Sequence, residues 1–145
     1  MKKCLWLVCL TIFLTFADGG VLQAAAPGAE RFQPVVANDK ISTSLDTQTI
    51  RYLKDPYREE NLLDAWLKTI ERETGGYNLS RYYFRVKERQ YQMISSLDFD
   101  AEGNLLSTER NSYSSRFKDV IPETLAEKWY DAVIKYEKEV MAIKK

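Results

Sequence analysis

Histidine is absent from this 145-residue chain, and its two cysteines, Cys4 and Cys9, both fall within the first ten positions. The first absence removes the usual general base near neutral pH and the commonest metal ligand. It also excludes Ser-His-Asp and Cys-His catalytic arrangements. Charge of one sign is not in excess either, with 21 basic against 21 acidic residues. No global field therefore favours nucleic acid or an anionic membrane. Long apolar runs are missing except at Cys4 to Phe16, whose 13 positions are too few for a spanning helix.

That apolar run belongs to a recognisable layout. Lys2 and Lys3 give it a positive start, and small residues follow, ending in Ala24-Ala25-Ala26. The pattern predicts a secretory signal peptide over residues 1–26. Cleavage after Ala26 is favoured, with Ala24 and Gly28 as alternatives because Pro27 follows the alanines directly. Removal of that leader takes both cysteines with it, so the mature chain has no thiol nucleophile, disulfide or zinc–thiolate site. Lipidation at Cys9 is disfavoured, since Val8 precedes it and the apolar region before it is too short. The expected location is the periplasm or the outer cell surface, with membrane contact only through the export signal.

Residues 27–38 read as a linker with a candidate first strand, and residues 39–145 as a single domain. A domain of that length buries roughly two-thirds of its unfolded surface and folds without a metal or disulfide. Ile41, Thr43 and Leu45 alternate with Ser42, Ser44 and Asp46, a period-two strand signal. Thr49 to Leu53 is a second β-prone run, stopped by Asp55-Pro56. Arg58 to Thr74 is ambiguous by pattern. Leu62, Trp66 and Ile70 have helical spacing, favouring a helix, while Leu63, Ala65 and Leu67 alternate and Gly75-Gly76 marks a hairpin turn. Tyr77 to Glu88 is a strand with Tyr82, Phe84 and Val86 on its core face. Tyr91, Met93 and Leu97 continue an apolar register, and Gly103-Asn104 turns the chain into Leu105 to Ser107. A helix starting at Pro122 carries one stripe of Leu125, Trp129, Val133, Tyr136, Val140 and Ile143, packed on the sheet.

Candidate chemistry is sparse. Asp98, Asp100, Glu102, Gly103 and Glu109 follow the spacing of an EF-hand calcium loop. That loop needs flanking helices, and the flanks alternate like strands, so an acidic hairpin turn is the preferred reading. Gly75-Gly76 lacks the lysine and spacing of a phosphate loop. The Asn78-Leu79-Ser80 triplet matters only in a glycosylating secretory pathway and takes no role here. Nothing singles out two carboxylates for glycoside hydrolysis. No catalytic residue, metal or cofactor is assigned.

One surface is a candidate for protein contact. A hairpin across Gly75-Gly76 sets Trp66 and Lys68 opposite the face of Leu63, Ala65 and Leu67. Arg81, Tyr83, Arg85 and Lys87 share that outward face. A basic, aromatic patch of this kind is common at protein interfaces, although long cationic stems also cover rings on solvated sheets.

Several segments occur in a telling order: Leu63-Asp64-Ala65-Trp66-Leu67-Lys68-Thr69, Arg89-Gln90-Tyr91-Gln92-Met93-Ile94-Ser95-Ser96 and Phe99-Asp100-Ala101-Glu102-Gly103. Asp119-Val120-Ile121-Pro122-Glu123-Thr124 and then Trp129-Tyr130 follow. From Asp39 to Tyr136 the chain resembles the surface-adhesin protein E family of Gram-negative bacteria. The resemblance implies an α+β fold, an antiparallel sheet of five to six strands with a C-terminal helix across one face. It makes Leu62 to Ile70 a strand. It implies an outer-surface adhesin that binds host matrix and serum proteins and can form a homodimer. The family's disulfide between helix and sheet falls nearest Val86 and Ile134 here, so a divergent member without that tie is expected. The resemblance carries no ligand-binding residue over to a position in this chain. The expected function is non-catalytic binding of extracellular or host proteins. A periplasmic structural or accessory role is the alternative, and a carboxylate-based hydrolase the remote one.

Overall fold

The computed structural model describes residues 31–112 and 116–141. The segment expected to be a signal peptide, the start of the expected linker and the side chains of Val140 and Ile143 lie outside the described part. Strands β1 (Phe32–Ala37), β2 (Ile41–Lys54), β3 (Asn61–Glu71), β4 (Tyr77–Arg85), β5 (Gln90–Phe99) and β6 (Leu105–Arg110) follow one another. They form an antiparallel meander in chain order, and the two-residue β7 (Lys118–Asp119) pairs with the start of β5. Helix α1 (Leu125–Tyr136) then crosses one face and ends in a wider turn at Glu137–Met141. The fold is α+β, as the pattern and the resemblance imply, with seven strands rather than five or six.

The ambiguous stretch is strand β3, paired with β4 from Leu62↔Arg85 to Ile70↔Tyr77. Its helical signal has a simple origin. Positions four apart share a face in a strand as well as in a helix, so Leu62, Trp66 and Ile70 fit both periods. Gly75, at φ +75°, supplies the left-handed residue of the connecting turn, which other residues adopt with strain.

Two irregularities decide which side chains meet the core. In β2 the register jumps between Asp46 and Arg51, so the two β-prone runs are one 14-residue strand with a bulge. Side chains close this bulge: Gln48 N–H donates to Asp46 Oδ1 at 3.2 Å and the Thr49 hydroxyl to the Asp46 carbonyl at 2.9 Å. The bulge delivers Ile50 into the core. In β5 a second shift leaves Ile94 unpaired between Met93 and Ser95. Tyr91 and Met93 therefore pack against the core, while Leu97 faces the other way, against the single register expected for all three.

Leu45, Leu63, Ala65, Leu67, Tyr82 and Phe84 build the core face, and Ala126, Tyr130 and Val133 of α1 are the buried positions of the helix. Burying each large aliphatic or aromatic side chain contributes about 1.5–3 kcal/mol. Ring contacts join the layers, with Tyr82 and Trp129 centroids 5.3 Å apart and Phe84 and Tyr130 centroids 6.3 Å apart. The stripe is thus centred on Ala126, Tyr130 and Val133, and Leu125 at its expected start is exposed. The helix also begins later than Pro122. Glu123 sits at φ +63°, which interrupts any helix there, and Thr124 is the cap. The Thr124 hydroxyl accepts Glu127 N–H at 3.4 Å, and the Glu127 carboxylate accepts Glu123 N–H at 2.8 Å.

Val86 is a correction of another kind. β4 ends at Arg85, and Val86 is 37% exposed in the following turn rather than on the core face. Its carbonyl, not its side chain, meets the helix: the Tyr130 hydroxyl donates to it at 2.8 Å. The Tyr52 hydroxyl donates to Glu137 and makes a second tie. Among the described residues no helix is long and apolar enough to cross a membrane.

Candidate binding face

Helix α1 covers one side of the sheet; the opposite side has no second layer of regular structure among the described residues. Its central row crosses all six meander strands: Phe32, Asp46, Trp66, Arg81, Ser95 and Arg110, each paired with the next. On one side of it run Arg51, Asp64, Tyr83 and Gln92. On the other run Pro34, Ser44, Lys68, Leu79, Leu97 and Thr108. The strand period, together with the bulges in β2 and β5, places these residues together.

Charges on this face are layered. Asp64 is buried, and it accepts Arg81 through Nε at 2.8 Å and Nη2 at 2.7 Å, and Arg51 Nε at 2.9 Å. Asp46, also buried, takes Arg31 Nε at 3.1 and 3.0 Å and Nη2 at 2.6 Å. Carboxylates thus lie beneath and guanidiniums above. The Arg51 side chain is 61% exposed over an Asp64 side chain at 1%, and Arg31 is 44% exposed over Asp46 at 4%. Hydrogen bonds to Asp64 push the Arg81 pKa further up, and Asp46 does the same to Arg31. These cations stay charged throughout the physiological range.

Aromatic rings brace the same groups. The Lys68 ammonium is 4.2 Å from the Tyr77 centroid and 5.6 Å from that of Phe32, and Tyr77 stacks on Phe99 at 4.8 Å. Arg81 lies 5.3 Å from the centroid of Tyr83. The structure therefore brings together Trp66, Lys68, Arg81 and Tyr83 from the expected patch, all of them half-buried.

Arg85 and Lys87 stand apart. Arg85 has the outward orientation but is buried beneath two loops, held by Asp55 Oδ2 at 2.8 Å and Glu60 Oε1 at 3.0 Å. Phe117 covers its guanidinium at 3.9 Å, and Gln92 Nε2 donates to the Ser112 carbonyl at 3.2 Å. Leu62, the strand partner of Arg85, is buried as well. Lys87 lies beyond the end of β4 and is exposed. Sequence reading missed Arg31, Asp46, Arg51 and Asp64. The available signal was an aspartate set between apolar neighbours in Leu63-Asp64-Ala65, since a charge in such a run needs a partner.

At the turn end of the sheet is a cavity of about 570 Å³ whose lining includes Glu71, Asp98, Asp100 and Glu102. Its acids are mostly engaged. Asp98 accepts from Ser107 and from Asn78 Nδ2, and Asp100 accepts the Asn104 N–H at 2.7 Å and its Nδ2 at 2.8 Å. These hydrogen bonds hold both aspartates below the ordinary carboxylate range. The calcium-loop spacing is here a hairpin turn, closed by Asp100 and by Gly103 at φ +87°. Among the described residues no group of three or more acids forms a metal cluster.

Comparison with protein-family models, with curated proteins and with solved structures gives no match to this chain.

Proposed function

We propose that this protein is an exported, non-catalytic binding protein of the bacterial cell envelope, adhesin-like, and akin to the surface-adhesin protein E family. Its partners are extracellular or host proteins, met through the helix-free face. One observation carries the reading: half-buried Trp66 and Tyr83 lie beside Arg81, whose fork is fixed by buried Asp64, which Arg51 also meets through Nε. Aromatic and arginine side chains already held in place lose little freedom on binding, the property that concentrates affinity at interfaces. Two acids of the turn-end cavity, Asp98 and Asp100, do not suit hydrolysis as well. A general acid needs a raised pKa, and both Asp98 and Asp100 are lowered.

Protease shaving of intact cells, with outer-membrane integrity verified, tests the location. Release of fragments of this protein is the expected result. Full protection of the chain would leave a periplasmic accessory role instead. Captured matrix or serum proteins should bind the wild type and be lost on Trp66→Ala, while the melting temperature stays nearly unchanged.

A further inference from the structure

The arrangement of charge on the helix-free face says more than that it binds. We infer that it selects an acidic, leucine-bearing segment of a partner protein, lying in extended form across the strands. This rests on the reading of that face as the binding surface and names the chemistry of what it takes.

The first argument is charge. Among the described residues, Arg31, Arg51, Lys68, Arg81 and Arg110 lie on or reach over these three rows, against two carboxylates, Asp46 and Asp64. Both carboxylates are buried, so what solvent and a partner meet is guanidinium. The chain as a whole is neutral, which makes the excess local. Arg51 gives Nε to Asp64, and its side chain is 61% exposed. A carboxylate placed above Arg51 and Arg81 would repeat from outside the contact that Asp64 makes from below.

The second argument is spacing. Neighbouring strands are about 4.8 Å apart. Arg81 springs from β4 and reaches Asp64 on β3, so its guanidinium lies roughly 10–14 Å from Arg110 on β6, while Arg31, bonded to Asp46 on β2, joins the Arg51–Arg81 cluster about one strand away. An extended chain rises about 3.3 Å per residue, so acids three to four residues apart match these stations. The third argument is apolar. Leu79 and Leu97 are cross-strand neighbours, half-buried, in the row beside Arg81 and Ser95. Side chains of a peptide can rest there, whereas a sulfated glycan has no apolar group to offer them.

The test uses the secreted protein and a labelled peptide of repeated Glu-Leu-Ser, with a Lys-Leu-Ser repeat and heparin as controls. Arg51→Gln combined with Arg110→Gln removes two exposed forks while Arg81 still holds Asp64. The expected result is binding of the Glu peptide alone, weakened about tenfold in the double variant and falling with added salt. Unchanged melting of the variant shows that the loss is local. Equal binding of both peptides, no binding, or no effect of the double substitution overturns the inference. Heparin bound more tightly than the Glu peptide, with the same arginine dependence, replaces the polypeptide with a glycan. Self-association that disappears in the double variant replaces it with a second copy of the chain. Capture of a matrix or serum protein that Trp66→Ala abolishes and the double variant leaves intact separates the two readings: the face binds, but not through acids. Peptide binding by a protein that shaving never reaches would leave this inference standing and overturn the surface location.

Discussion

Tyr130, in the middle of α1, donates its hydroxyl to the carbonyl of Val86 at 2.8 Å. That bond joins helix to sheet beside one of the two positions where the family resemblance sets a disulfide. Ile134, the other position, packs half-buried against the core, while the Val86 side chain faces solvent. A hydrogen bond and a ring contact with Phe84 thus stand where a covalent tie is expected. Tyr130→Phe keeps the ring and removes the bond. Thermal unfolding should show a loss of about 1 kcal/mol, with melting lower by roughly 4–8 °C. A full-strength variant would show that the helix is held by packing alone.

The second tie predicts a response to alkali. The hydrogen bond to Glu137, with smaller contributions from burial and charge, raises the Tyr52 pKa from 10.0 to about 12. The folded value is above the unfolded one, so its stabilisation is complete below pH 10 and is lost as pH rises toward 12. Stability of Tyr52→Phe should decline less steeply across that window than the wild type. Burial also raises Tyr82 and Tyr130, so some decline will remain in the variant.

In acid the sign reverses. Hydrogen bonds from Ser107 and then Asn78 lower the Asp98 pKa below 3.8. Its stabilisation is present above the unfolded value of 3.8 and is lost as pH falls through the lower folded one. Ser107→Ala should move the Asp98 titration, followed by carboxyl carbon NMR, toward the ordinary value. An unmoved titration would mean that Ser107 is not the hydrogen-bond donor that matters.

Arg85 should behave as a structural residue and not as a contact. Asp55 and Arg85 are both buried, so Arg85→Ala leaves a carboxylate without its main cation and should cost about 3–5 kcal/mol in urea unfolding. An exposed patch residue would lose under about 1 kcal/mol.

Leu62 gives a cleaner check of the same loop cover. It is buried on the side of the sheet away from the helix. Leu62→Ala should cost about 2–5 kcal/mol, as for a core leucine. A loss near zero would mean that the loops do not seal that end of the face.

Local patterns carried much of this fold. Alternation marked β2, β4 and β5, Gly75-Gly76 marked the hairpin, and the apolar stripe marked α1. Arg81 and Tyr83 were legible as one face because a strand repeats every two residues, whereas Trp66 and Lys68 joined them only once the resemblance made Leu62 to Ile70 a strand, against a pattern that favoured a helix. Bulges were not legible. An extra residue such as Ile94 changes no composition, yet it turned Leu97 away from Tyr91 and Met93. Val86 and Leu125 failed for a related reason: each continued a pattern one step past the end of its element.

The sequence by itself determined the alternating faces of β2 and β4, the hairpin turns, the absence of histidine and the confinement of both cysteines to the first ten positions, since these depend on residue type and short-range spacing. Tertiary structure alone decided that Asp46 and Asp64 lie under the arginines, that Arg85 is buried against Asp55, Glu60 and Phe117, and that the Tyr130 hydroxyl meets the Val86 carbonyl. Each of those outcomes depends on partners distant in sequence, whose meeting is set by register and loop placement and by no local pattern.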